Sequence, residues 1–225
     1  MAGLLVAAAG LVGCSDVAPA GGASPPPTRS TVPTAPPPSS PSDPPSPKPS
    51  PTSKPTASGV AAMTIPAIGV RGLRVIPYVG TADDRPGTVV QDRGVAASPR
   101  GPKGGVGPGD VGNFIITGHR TSHGRPLGRA TELANGDHIL ITAGGTVYDY
   151  VVNRTMTISF RMPAELAQQN AAVPGRPGVT PTKAMITIST CATPEDHAAG
   201  NFWHDELGNP EHRINKIGTL VATRP

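Results

Sequence analysis

Proline sets the first boundary in this chain. Of 29 prolines among 225 residues, a dense set runs from Pro19 to Pro55. Proline fixes its own φ and lacks an amide donor, so such a stretch builds neither helix interiors nor sheet ladders. From Ser15 to Ser58 its companions are mostly Ser, Thr, Ala and Gly, with almost no large apolar side chain. Too little surface can be buried to offset the entropy of ordering, and the segment is expected to be disordered. Its Pro25-Pro26-Pro27 and Pro45 to Pro51 runs favour polyproline II, a semi-stiff spacer of ~100 Å or more at about 3.1 Å per residue. Apolar periodicity begins only near Ile65. The expected organisation is therefore a leader over 1–13, a Pro/Ser-rich tether over 14–60 and one folded domain over 61–225, long enough to bury a core without disulfides.

Met1 to Cys14 is an apolar run far shorter than the roughly 20 residues that span a bilayer, and it is placed like the apolar region of a signal peptide. Its end, Leu11-Val12-Gly13-Cys14, resembles the lipobox of bacterial lipoproteins. That resemblance implies cleavage before Cys14, lipidation of Cys14 and anchoring at the outer face of the cell membrane. The plainer alternative is a cysteine incidental to an apolar leader. Cys14 precedes the long tail and is poorly placed to pair with Cys191, the second of the two cysteines. Cys191 is then a free thiol in an exported chain, which needs an explanation.

A formal charge of +4 suits work beside an anionic surface such as a cell wall. Nucleic acid is excluded as a partner: the basic residues form no stripe, and aromatics, at 3%, offer no stacking platform.

In the folded part, short apolar or alternating runs are punctuated by Gly, Pro and Asp. Thr64 to Val70, Arg74 to Val79, Gly112 to Thr117, His138 to Thr142, Thr146 to Ser159, Ala184 to Thr190 and Ile214 to Ala222 read as strands. Helical signals are few. Pro163 to Gln169 opens with proline at a first helical position, and Leu127 to Ala134 could form a second short helix. Many short strands with few helices predict a mainly β barrel or sandwich.

Two strands deliver reactive side chains. Ala184 to Cys191 ends on a thiol, which becomes a nucleophile where a neighbouring base or cation supports the thiolate. Gly112 to His119 ends on an imidazole suited to acid/base work, with Gly118 letting the backbone turn beside it. Arg213 opens the last strand, and its fork of donors suits a developing oxyanion. Each alone has a blander reading: a buried structural cysteine, a satisfied histidine, an arginine solvating a sheet edge.

Together they resemble the sortase family. Sortases open their barrel with a segment like Ile65-Pro66-Ala67-Ile68-Gly69-Val70 and pass a glycine-rich approach, here Gly107-Pro108-Gly109, into a Gly118-His119-Arg120 segment. They continue through a strand like Gly136-Asp137-His138-Ile139 to Thr187-Ile188-Ser189-Thr190-Cys191, and end on Arg213 and a strand closing near Gly218-Thr219-Leu220-Val221. The resemblance runs from about Met63 to Val221. It implies a closed eight-stranded β-barrel with a few short helices, and an extracytoplasmic cysteine transpeptidase. Cys191 would attack between Thr and Gly of an LPxTG- or LAxTG-like sorting signal on a surface protein. An amine from a peptidoglycan precursor would resolve the thioacyl enzyme, with His119 as acid/base and Arg213 as oxyanion stabiliser. Thr190, His123 and Trp203 would contact substrate.

Departures bear on subclass. Thr121-Ser122-His123 puts histidine where housekeeping relatives often carry tyrosine, the loop Ala192 to His212 is long, and Asn215 and Lys216 interrupt the last strand. These favour a class E- or F-like member. No cofactor, metal or calcium is expected. The competing readings are an L,D-transpeptidase, whose glycine before the cysteine is missing here, and a non-catalytic wall-binding module, for which aromatic faces are too scarce. A zinc site recruiting His119 and His123 with His197, His204, His212 or Cys191 lacks the helix-face histidines or CxxC pair of common sites.

Overall fold

The computed structural model describes residues 59–225. The predicted leader, Cys14 and the tether lie outside the described residues. Eight strands close into a barrel, β1 (Ala61–Ile65), β2 (Val70–Val79), β3 (Ala96–Arg100), β4 (Gly112–Thr117), β5 (His138–Ala143), β6 (Thr146–Ser159), β7 (Ala184–Cys191) and β8 (His212–Arg224). Their order around the barrel is β1-β2-β3-β4-β7-β8-β6-β5, closed by β5 against β1. The mainly β, eight-stranded closed barrel is the architecture that the resemblance implied.

Two neighbouring pairs, β2–β3 and β4–β7, are parallel, and the rest are antiparallel. A parallel pair needs a crossover. Helix α1 (Arg85–Gln91) supplies one between β2 and β3, started by the Asp84 carboxylate accepting from the Gly87 amide at 2.9 Å. Between β4 and β7 the chain makes the β5–β6 hairpin and helix α2 (Pro163–Asn170), while α3 (Thr193–Ala198) follows β7. No helix among the described residues is long and apolar enough to cross a membrane.

Alternation along the strands sorts side chains to two faces. Phe114 and Ile116 of β4 and Ile186 and Ile188 of β7 point into the core with Met63, Ile65, Ile139, Ile141 and Tyr150. Each such fully buried side chain stabilises the barrel by about 1.5–3 kcal/mol. The intervening residues, Asn113 and Thr117 on β4 and Thr187, Ser189 and Cys191 on β7, therefore face outward. The β7–β8 register keeps Arg213 beside Cys191 and Asn215 beside Ser189 on that outer face.

Several local expectations are corrected. Thr64 to Val70 is not one strand: Pro66–Ile68 forms a 3-10 turn and Gly69 takes a left-handed conformation, because proline cannot continue the ladder. Leu127 to Ala134 forms only a 3-10 turn over Ala130–Glu132, because the amides of Gly128, Ala130, Glu132 and Leu133 bond carbonyls three residues back rather than four. The strand β3 (Ala96–Arg100) was invisible to periodicity, since its sequence, AASPR, is small-residue and proline-containing; its pairing with β2 defines it. Helices α1 and α3 were also missed, both being too short for a clear 3.6-residue period.

Candidate active site

Cys191 closes β7 and Arg213 is its direct cross-strand partner on β8. From that position the Arg213 Nη1 donates to Cys191 Sγ at 3.2 Å. The guanidinium is 1% exposed and every arm is occupied: Nε donates to Asp83 Oδ2 at 3.1 Å and Nη2 to Asn209 Oδ1 at 2.6 Å. Phe160 lies beneath it, with the charged carbon 4.3 Å from the ring centroid. Burial alone would weaken this cation. Asp83 and Cys191 more than offset it and hold the Arg213 pKa above its ordinary value.

Asp83 is itself buried, in a left-handed conformation at φ 60°, and its other oxygen accepts from Gln91 Nε2 at 3.1 Å. Asn209 is presented by a tight turn in which Asp205 accepts from the amides of Leu207 and Asn209 at 2.9 and 2.8 Å. Thus the stretch between Cys191 and His212, expected as an undivided loop, contains α3 and a self-bonded turn aimed at Arg213.

The thiol feels opposed influences. Burial pushes the Cys191 pKa up, Arg213 and Arg120 pull it down and Asp83 pushes it up again, with a net upward shift. At neutral pH the resting site thus holds mainly the neutral thiol.

His119 follows the end of β4, next to the end of β7. The Gly118 amide donates to the Ser189 carbonyl, and Thr190 Oγ1 donates to the Gly118 carbonyl at 2.8 Å. Gly118 has a different reason from the one expected: a Cβ there would lie 2.9 Å from Leu127 Cδ1, so close packing excludes a side chain. His119 Nε2 bonds Asp92 Oδ1 at 2.8 Å, from the residue capping α1. The His123 ring stacks on His119 at 4.5 Å between centroids. Arg120 reaches across to the Cys191 carbonyl at 3.2 Å, to Thr131 and to Glu195 on α3, tying the strand ends together.

A cleft of about 240 Å³ is lined by Cys191, His119, His123 and Asp92, with Asn209 among its other walls. The structure therefore gathers Cys191, His119, Arg213 and His123. Thr190 is buried, its hydroxyl engaged by Gly118. Trp203 lines an adjoining cleft of about 190 Å³ with His197, Phe202 and His204. Of the histidines weighed for zinc with His119 and His123, His197 packs on Phe202 and His212 bonds Asp196. Asp83, Asp92, Asn209 and Arg120 were not foreseen as site residues. Only Arg120 had a signal, standing beside His119; the others reach the site through long-range contacts.

A β-barrel whose strand ends set a thiol and a histidine in one cleft, with a buried arginine bonded to the thiol, defines a cysteine-centred acyl-transfer class. A sortase-domain family model matches residues 63–203, well over half of the chain, and the chain belongs to the sortase family of cysteine transpeptidases. The matched segment carries His119 and Cys191 and stops short of Arg213. Similar solved structures include the SrtA sortase from Actinomyces oris, at 20% identity over 75% of this chain and 83% of that one, with a TM-score of 0.55. Sortase E1 from Streptomyces coelicolor, solved with a tripeptide in its active site, shares 23% identity over 74% and 90%, TM-score 0.54. Sortase E from Streptomyces avermitilis shares 22% over 73% and 89%, TM-score 0.52. At these identities the likeness is one of fold. No curated protein matches the chain.

Proposed function

We propose that this sortase cleaves an LPxTG- or LAxTG-like sorting signal between Thr and Gly and transfers the acyl group to a cell-wall amine. The observation that carries the reading is the Arg213 Nη1 to Cys191 Sγ contact at 3.2 Å, at the wall of a cleft that Cys191 and His119 both line. Asp92, bonded to His119 Nε2, leaves Nδ1 as the ring atom that exchanges protons.

Cys191 gives its proton to His119 as sulfur attacks the Thr carbonyl carbon. The carbonyl electron pair moves onto oxygen, and the Arg213 guanidinium stabilises that charge. Collapse breaks the C–N bond, and His119 returns its proton to the departing glycine amine. An acceptor amine then attacks the thioester, His119 takes its proton, and Cys191 leaves as thiolate. A thiol held neutral at rest suits this sequence, since the proton moves only when a carbonyl is in place. Thr190 supports the backbone that carries His119, while Trp203 and His123 border the path of the peptide.

The E-type structures among the neighbours favour a class E-like member, and class F is the nearest alternative. Lipidation at Cys14, the 14–60 tether and an outer-face membrane location complete the proposal: a spacer would project the 61–225 domain toward wall precursors.

The full chain and its Cys191→Ala variant are to be incubated with quenched LPxTG and LAxTG peptides and an amine acceptor, the product being weighed by mass. Turnover between Thr and Gly by the parent alone is expected. Absence of product from both, with Cys191 resistant to iodoacetamide in the native state, would return the chain to the wall-binding reading.

A further inference from the structure

Beside the thiol, His119 also belongs to a second constellation, with Asp92 and His123. Asp92 Oδ1, His119 Nε2 and a His123 ring nitrogen all lie within 4.8 Å of one another. Asp92 Oδ1 is 2.8 Å from His119 Nε2 and 3.7 Å from His123 Nε2. Zinc bonds imidazole nitrogen and carboxylate oxygen at about 2.0–2.2 Å, and small side-chain rotations would bring three atoms this close onto one ion.

The arrangement is built rather than incidental. His123 holds a left-handed backbone at φ 48°, a costly conformation for a residue with a side chain. That conformation turns its ring onto His119, 24° from parallel. Its Nδ1 meets Ser122 Oγ at 3.1 Å, which leaves Nε2 facing Asp92; an outer partner on the far ring nitrogen is the usual support of a metal-binding histidine. The segment after β4 and the end of α1 thus converge on one point, although far apart in sequence. Two imidazoles and one carboxylate suit a borderline divalent ion, zinc foremost, and leave its fourth position to water.

We propose that Asp92, His119 and His123 form a reversible zinc site that switches the enzyme off by taking His119 Nε2. A metal on Nε2 fixes the remaining proton on Nδ1, so the ring can no longer accept one from Cys191 or from the acceptor amine. The switching half rests on the functional reading given above; the binding half does not.

Zinc titration into the full, untagged chain by calorimetry, with Co2+ as a visible-absorption probe, tests the binding. One metal per chain is expected. The Cys191→Ala variant should retain it, with Co2+ bands free of thiolate charge transfer. His123→Gln and Asp92→Asn should each weaken binding about 10–100-fold or more. Zinc should also inhibit turnover of the sorting peptide, and the inhibition constant should rise in His123→Gln by the factor found for binding. Loss of binding in Cys191→Ala, unchanged affinity in His123→Gln and Asp92→Asn, or no saturable binding would overturn the site. Stoichiometric zinc with undiminished turnover would overturn the switch. A chain inactive on peptides would instead sink the functional reading, while calorimetry and Co2+ absorption still decide the site.

Discussion

At Cys191 the balance of charges has a measurable consequence. Burial outweighs Arg213, so the thiol titrates above the ordinary range of about 8.5. Iodoacetamide labelling of the native chain, followed at the Cys191 peptide by mass, is expected to accelerate with pH and reach half its limiting rate above that value. Arg213→Ala removes an influence that lowers the pKa, and the midpoint should move further up. A midpoint below that of free cysteine would contradict the assignment. Asp83 offers a second test. Its ion pair with Arg213 is almost wholly inaccessible to water, so deleting one partner strands a buried charge. Asp83→Ala should lower the unfolding free energy by about 3–5 kcal/mol in urea titration. Asp83→Leu combined with Arg213→Met should recover much of that stability, yet remain inactive on sorting peptides. Cys191, His119 and Arg213 were legible as candidates because each stands at a strand boundary in a recognisable segment. Asp83 was not, since an aspartate 130 positions from its partner leaves no local pattern.

Among the elements, α2 shows how a short helix is held. Its hydrophobic face is weak, and polar anchors fasten it instead. Asn113 Nδ2 donates to the Gln169 and Ala171 carbonyls at 3.1 and 3.0 Å, its Oδ1 accepts from Thr187 at 2.8 Å, and Gln169 Nε2 donates to Ser189 at 2.9 Å. Asn113→Ala leaves those buried groups unpaired, at a cost of about 1–3 kcal/mol. Amide exchange over Pro163–Asn170 should quicken in that variant while exchange in β6 stays slow; uniform acceleration would show that the anchor is not local. Gly118 makes the complementary case for close packing. In Gly118→Ala the methyl presses on the fully buried Leu127, and a loss of about 1–3 kcal/mol in urea titration is expected. The expected helix at Pro163 was found because proline at its start is a local signal, whereas β3 was missed because its strand character comes from its neighbours β2 and β4.

Across the whole molecule, the topology sets folding speed. The β4–β7 pair joins segments about 70 residues apart, and the barrel closes only when β5 meets β1. Barrels dominated by such pairings fold in milliseconds to seconds. Stopped-flow far-UV circular dichroism should therefore show refolding on that scale, and microsecond completion would mean that the barrel forms from local contacts. The sequence by itself sets an expected boundary at the prolines, and it determined the alternation that makes a β domain and the strand ends bearing Cys191 and His119. All of these are written in neighbouring residues, through backbone restriction and a period of two. Only the tertiary structure decided that Arg213 is buried against Asp83 and Asn209, that Asp92 orients His119, and that His123 stacks upon it. Those contacts depend on register and on loop conformation, which are settled by burial and charge pairing across the closed barrel.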